Sequence, residues 1–323
     1  MPLWLTEEDV RAVLTMPALM ETMEQALAAF SAGDVVQPVR TALEMRERTF
    51  FALMPAFDKV HDVLGAKLVS VVPENAARGL ATHLASISLF DPATGELRAV
   101  MDGRLITEMR TAAVSAISVK YLARRGASRL AILGSGIQAR SHVEAMRLVA
   151  EFTEIRAWSP TPQHLRTFVE EMGAPVRAAA SANEAVSGAD VVLLATNSVT
   201  PAIEDDWVGE GAHVIAIGAC RPSQRELAPE LVARGLLVVD SRDAARQESG
   251  DVVQGICEGR FPSEHAAIEL GDIVAGRVPG RTGDRQVTVF KSLGLAIEDV
   301  AAAGMVWQKA VQSGRGMAVA LQR

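Results

Sequence analysis

The sequence predicts an α/β protein of two domains, one built on a parallel sheet and one of the α+β kind, and three observations carry that prediction. The stretch 128–140, Ser-Arg-Leu-Ala-Ile-Leu-Gly-Ser-Gly-Ile-Gln-Ala-Arg, joins a short apolar run to a glycine turn and the opening of a helix. Beyond it, apolar runs of strand length alternate with helical segments, which implies right-handed crossovers and a parallel sheet covered by helices. Before it, residues 35–101 break into short strands separated by turn residues, the pattern of a mainly antiparallel sheet.

In chain order, Thr6 followed by Glu7, Glu8 and Asp9 is a helix cap with acids in the first turn. The spacing of Val10, Val13 and Leu14, then of Met20, Met23, Leu27 and Phe30, predicts two amphipathic helices, the second ended by Gly33. Strands are predicted over 35–39, 49–54, 65–72, 83–90 and 97–101, with Asp91-Pro-Ala-Thr-Gly95 as the turn before the last. A long helix over 106–122 follows. Strands over 130–133, 154–158, 176–178, 191–195, 214–217 and 236–239 come next, with helices over 138–150, 162–172 and 182–187 between the first four. A strand over 287–290 leads into a helix through Ala301, and 306–321 is helical with one apolar face, able to return to the first domain. A chain of 323 residues exceeds the usual single core, and the domains are placed at 1–118 with 304–323, and at 119–303.

Composition narrows the partners. A net charge of −7, with no basic block, argues against a nucleic-acid surface, so small molecules or protein subunits are expected. Cys220 and Cys257 lie 37 residues apart without a C-x-x-C spacing, and the six histidines form no H-x-x-x-H pair, so neither a disulfide framework nor a zinc site is expected. The start of the chain lacks the basic and apolar regions of a signal peptide and no apolar run reaches membrane-spanning length, so a cytoplasmic location without membrane contact is expected.

The glycine turn carries the first chemistry. Gly134, Gly136 and Ala139 form G-x-G-x-x-A: Gly134 lets the chain turn sharply, Gly136 lets a pyrophosphate approach the backbone, and Ala139 lets the helix pack on the strand. Unpaired N–H groups at the helix N-terminus suit phosphate. The next strand ends in Ser159-Pro-Thr-Pro162 with no carboxylate to take ribose hydroxyls. Ser159 and Thr161 can donate to a 2′-phosphate and Arg166 lies one helical turn on, which favours NADP(H) while tolerating NAD(H); the alternative is a simple Ser-Pro helix start that needs no ligand. Ala195-Thr-Asn-Ser198 and Gly218-Ala-Cys220 also follow apolar strands, at the carboxyl ends where open parallel sheets bind ligands.

In the first half, Arg40, Lys67 and Arg110 stand in otherwise uncharged or apolar settings. A guanidinium can hold a carboxylate with two parallel bonds, and a desolvated lysine can supply a proton. Each has a plainer reading, an outward-facing charge or a pair with an acid such as Glu44 or Glu108.

Together these residues resemble the ornithine cyclodeaminase and mu-crystallin family over nearly the whole chain. The matching blocks are Val35-Val-Gln-Pro-Val-Arg-Thr41, Met54-Pro-Ala-Phe57, Lys67-Leu-Val69, Ala99-Val-Met-Asp-Gly103 and Ile106-Thr-x-x-Arg-Thr-Ala-Ala-Val-Ser-Ala-Ile117. They continue through the Gly134 turn, Glu248-Ser-Gly-Asp-Val252 and Thr288-Val-Phe-Lys-Ser-Leu-Gly294. The resemblance implies a Rossmann-type NAD(P)-binding domain and an N-terminal domain joined by the last helix into a substrate and dimerisation unit, hence a homodimer. By position, Arg40, Lys67 and Arg110 match residues that hold the substrate carboxylate and reacting nitrogen, and Leu293 matches one at the substrate edge. Thr82, Arg110, Ile137, Gln138, Ser159, Thr196, Val214, Ile215, Ala216, Ile217 and Ser292 match positions along the cofactor.

One departure bears on the reaction. Where cyclodeaminases carry an aspartate in Gly-Gly-Asp-Cys-Pro, this chain has Gly218-Ala-Cys-Arg-Pro222, so the neutral Cys220 replaces a group that handles protons and the substrate's distal amine. The mu-crystallin-like ketimine reductases have a serine there, and Cys220 is expected to line the pocket as a small residue rather than react. The expected activity is NAD(P)H-dependent reduction of a cyclic ketimine of the pyrroline- or piperideine-2-carboxylate type to a cyclic amino acid, with Lys67 and Arg110 catalytic. The alternatives are an alanine or other amino-acid dehydrogenase or an ornithine cyclodeaminase of the same family, and, in another class, a nucleotide and small-carboxylate binding protein with little turnover.

Overall fold

A computed structural model of the chain describes residues 1–46 and 49–320. The first half runs β1 (Leu3–Leu5), α1 (Glu7–Val13), α2 (Met16–Ser31), β2 (Val35–Val36), β3 (Thr41–Arg46), β4 (Thr49–Asp58), β5 (Val63–Val71), β6 (His83–Phe90), β7 (Leu97–Asp102) and α3 (Arg104–Leu122). Next come β8 (Arg129–Leu133), α4 (Ile137–Met146), β9 (Glu154–Trp158), α5 (Pro162–Met172), β10 (Val176–Ala178), α6 (Ala182–Val186), β11 (Val191–Leu194) and β12 (His213–Ala216). The last stretch holds α7 (Pro229–Arg234), β13 (Leu236–Val239), α8 (Arg242–Glu248), α9 (Gly250–Cys257), β14 (Ile268–Glu269), α10 (Leu270–Val274), β15 (Thr288–Lys291), α11 (Ala296–Ser313) and β16 (Met317–Ala318). No helix among the described residues is long and apolar enough to cross a membrane.

Two compact units divide the chain, Met1–Arg110 with Leu295–Arg323, and Thr111–Gly294. The first boundary lies within α3, at 110/111 where 118/119 was expected, and the second at 294/295, just before α11, where 303/304 was expected.

The first unit is a sheet in the order β16-β1-β7-β6-β5-β4-β2, with β3 paired to β4, and it is antiparallel except where β1 runs parallel to β7. One face is buried: register aligns Met54 with Lys67, Lys67 with Ile87 and Ile87 with Met101, and α11 lies across β4, β5 and β6. Gly65 makes that approach possible, because a Cβ there would stand 2.7 Å from Ser88 O and 3.3 Å from Val300 Cγ1 of α11. The first helix opens as expected, with Thr6 and Asp9 forming a reciprocal capping box.

Several elements of this unit differ from expectation. Strand β4 continues beyond Met54 to Asp58 because Pro55 falls between the β3 pairing, which stops at Leu53, and the β2 pairing, which starts at Phe57. β3 was not expected, although Leu43 and Met45 alternate with Glu44 and Arg46; all six of its residues are exposed. The two terminal helices, one through Ala301 and one over 306–321, are a single α11 that ends at Gly314 in the left-handed region; β16 then pairs with β1, and Leu321 lies outside the described residues.

The second unit is an eight-stranded parallel sheet in the order β10-β9-β8-β11-β12-β15-β13-β14. Chain order reverses beside β8: β9 and β10 extend one way and β11 and β12 the other, the switch point at which open α/β sheets place their ligands, here the carboxyl ends of β8 and β11. Strands β8, β11, β12 and β15 are buried except for Arg129, and apolar apart from Arg129, His213, Thr288 and Lys291, in keeping with burial on both faces.

Candidate active site

In the first unit, a single carboxylate gathers two of the three singled-out cations. Asp299 stands in the first turn of α11 and is fully buried. Its Oδ2 accepts from Lys67 Nζ at 2.5 Å, and its Oδ1 from Arg110 Nε at 3.2 Å and Thr107 Oγ1 at 3.3 Å. The neighbouring Glu298, also buried, accepts from Arg110 Nη1 at 2.6 Å. Lys67 is the largest wholly buried side chain of the unit. Burial pulls its pKa down to about 8; Asp299 opposes that fall, while the charges of Arg110 and Arg40 add to it. For Asp299, burial works against ionisation, but Arg110 and Lys67 outweigh it and hold the carboxyl below its ordinary range. The result is an ionised carboxylate beside a lysine that is protonated near neutrality and gives up its proton with little cost.

Arg110 is thus a buried partner of Glu298 and Asp299, not an outward-facing charge. Glu108 pairs with Arg104 at 3.3 Å. Arg40 is half-buried, with its charge felt at Lys67, and Thr82 is an exposed residue just before β6.

The glycine turn of the second unit has the form expected of a dinucleotide site. Gly134 follows β8 with φ of +115°, and a Cβ there would lie 2.3 Å from Ala195 O at the end of β11, so only glycine fits. Gly136 is the N-cap of α4, supplies no side-chain cap, and a Cβ placed on it would meet nothing within 4 Å. Gln138, in the first turn of α4, has a buried Oε1 with no hydrogen-bond partner, and Ile137 is half exposed beside it. An uncapped helix N-terminus and an open glycine fit the phosphates of a dinucleotide. At the end of β9, Thr161 caps α5 without a side-chain hydrogen bond, Ser159 is half-buried, and Arg166 donates to Gln163 Oε1 at 2.5 Å.

Buried carboxylates fix the other strand ends. Glu226 Oε1 accepts from Thr196 N at 2.9 Å and Thr196 Oγ1 at 2.7 Å, while Oε2 accepts from Gly218 N at 2.6 Å and Ala219 N at 3.0 Å. Behind it, Asp251 accepts from the backbone N–H groups of Glu226 and Leu227, and Lys291 Nζ lies 3.3 Å from Asp251 Oδ2 and 3.8 Å from Glu226 Oε2. Asp240, at the end of β13, accepts from Ser292 Oγ at 3.2 Å, Leu293 N at 2.6 Å and Gly294 N at 2.7 Å. Glu226 and Asp240 therefore hold Thr196, Gly218, Ser292 and Leu293 in place. Val214, Ile215 and Ala216 are wholly buried within β12, which leaves Ile217 as the member of that run at the strand end. Cys220 donates to Ile217 O at 3.4 Å.

The sequence reading missed Asp299, Glu298, Glu226, Asp251 and Asp240. Glu298 and Asp299 look like ordinary helix-start acids that favour the macrodipole. The others lack any local spacing signature and gain meaning only from the chain they meet in space.

The model of the ornithine cyclodeaminase/mu-crystallin family matches residues 2–314. The chain belongs to that family. The ketimine reductase mu-crystallin of Rattus norvegicus is 42% identical over 311 residues, 95% of this chain and 96% of the relative. Among solved structures, the Δ1-pyrroline-2-carboxylate reductase of Thermococcus litoralis, in complex with NADH and L-proline, superposes with a TM-score of 0.95 at 35% identity, covering 98% of this chain and 100% of that one. An archaeal alanine dehydrogenase dimer with bound NAD gives 0.94 at 33% identity, covering 99% of each chain.

Proposed function

We propose that the protein is an NAD(P)H-dependent reductase of cyclic ketimines that carry a carboxylate on the imine carbon, of the pyrroline- or piperideine-2-carboxylate type, and that it forms a cyclic amino acid. The observation that carries this reading is the buried Lys67–Asp299 pair beside Arg110. Lys67, with a pKa brought to about 8, keeps the imine nitrogen protonated, and Arg40 and Arg110 hold the carboxylate. Asp299 keeps Lys67 charged in spite of burial and fixes where its proton lies. Ile137, Gln138 and the Gly134–Gly136 turn would hold the phosphates, and Ser159 with Thr161 the ribose end, which favours NADP(H). Thr196, Ile217 and Ser292 would border the nicotinamide. The nicotinamide supplies the hydride when bound.

Cys220 stands where a cyclodeaminase has its aspartate, and its thiol hydrogen-bonds to the backbone at Ile217 O, which supports reduction over ring closure. A homodimer also fits. Register places Leu43, Leu53, Leu68, Leu84 and Trp4 on the sheet face opposite α11, where all five are exposed. The testing experiment is NADPH oxidation with Δ1-pyrroline-2-carboxylate, with pyruvate plus ammonia, and with ornithine plus NAD⁺ as separate arms.

A further inference from the structure

His83 opens β6, and the register pairs it with Val71 of β5 while Ile87 pairs with Lys67. Strand alternation therefore sets His83 on the same sheet face as Lys67, four residues along from Ile87. Its Nε2 is buried and has no hydrogen-bond partner. A buried polar atom without a partner is uncommon and costly, and calls for a specific reason. The charged groups that act on the ring are Lys67, Arg110 and Asp299, the three that form the candidate site. Burial, reinforced by the two cations, brings the His83 pKa down to about 4, so between that value and about 8, where Lys67 is still protonated, the ring is neutral and can donate without adding to the positive charge.

We infer that His83 is a further substrate-binding residue, its imidazole Nε2 hydrogen-bonding to the carboxylated substrate that Lys67 and Arg110 serve. The inference rests on the ketimine reading of the site. Arginine and lysine supply charge, whereas a neutral ring supplies direction: one N–H at a fixed place selects how the substrate carboxylate lies relative to the imine carbon.

The test uses the full-length protein with H83L, H83M and H83Q, steady-state kinetics with Δ1-pyrroline-2-carboxylate, calorimetric titration with L-proline, and melting of the ligand-free protein. The two apolar variants should raise KM and weaken L-proline binding by about tenfold or more, as loss of a hydrogen bond to a charged group does. Their kcat should change by less than about threefold, since uniform binding is what is lost. Their melting temperatures should equal or exceed the wild-type value, because an unsatisfied buried atom has been removed. H83Q, which restores an N–H, should recover part of the affinity. Equal losses in all three variants, or wild-type affinity in H83L and H83M, would overturn the inference. Wild-type turnover separates this outcome from failure of the ketimine reading, because L-proline titration reports on His83 even if no ketimine is reduced.

Discussion

Lys67 Nζ and Asp299 Oδ2 are 2.5 Å apart, 232 residues apart in sequence, and both side chains are shut away from solvent. The charge of Asp299 supports protonated Lys67 against burial and against the neighbouring cations. With its folded pKa at about 8, Lys67 is protonated below that value and loses its proton as pH rises through it. Reduction of a ketimine should therefore fall along an alkaline limb near pH 8. Asp299→Asn removes the group that raises the lysine pKa, so its limb should move to lower pH. A pH profile of kcat for both proteins checks this; an unshifted limb in a folded variant would assign Asp299 a purely structural part.

Lys67→Met should lower kcat by about 10²- to 10⁴-fold, the range of general acid catalysis, and alter L-proline affinity far less. Stopped-flow reduction and calorimetry on the same preparation separate the two effects.

Arg110→Ala acts on two levels. Loss of a charge-assisted fork should cost about 2–4 kcal/mol of transition-state binding. It also leaves buried Glu298 and Asp299 short of a cation, so the protein should melt earlier, and the destabilisation should be about 3–5 kcal/mol. Arg110→Lys keeps the charge without the fork and should recover only part of each. Kinetics with parallel denaturant melts on both variants give the comparison.

The fold was legible where the chain repeats a local rule. Gly134, Gly136 and Ala139 announced a strand, a turn and a helix within a few residues, and the alternation beyond them gave a parallel sheet. Lys67 and Arg110 stood out because each interrupts an apolar pattern. Asp299 could not be found that way: its role depends on Gly65 letting α11 approach β5, a contact between distant parts of the chain. Glu226 and Asp240 were hidden for the same reason, since each serves backbone N–H groups just beyond the ends of other strands. His83 resembled any polar residue at a strand start until its Nε2 proved to be buried.

Cofactor choice should follow the strand end after Trp158. With Ser159 and Thr161 there and no carboxylate, NADPH should bind at least as tightly as NADH, and Ser159→Asp should weaken NADPH by about tenfold while sparing NADH. Fluorescence titration with each nucleotide reads this directly, and a strong wild-type preference for NADH would contradict it.

Acid should destabilise the second unit through two buried histidines. His142 bonds Ser115 Oγ and Gln138 O, and His213 bonds Ser118 Oγ and Thr288 Oγ1. Burial lowers their pKa values to about 4 and about 3 from an ordinary 6.5. Below 6.5 the unfolded chain binds protons that the folded state does not, so stability rises with pH in that window and is lost as pH falls from 6.5 towards the folded values. Melting temperature against pH should drop across it, and His213→Asn should flatten the slope.

The most direct test of the account is the rate of NADPH oxidation by the purified protein with Δ1-pyrroline-2-carboxylate, measured beside ornithine plus NAD⁺ and pyruvate plus ammonia. The account predicts rapid, saturable oxidation with the cyclic ketimine, L-proline as product, and no proline from ornithine above background. Robust proline formation from ornithine, or turnover of pyruvate and ammonia without reduction of the ketimine, would contradict it.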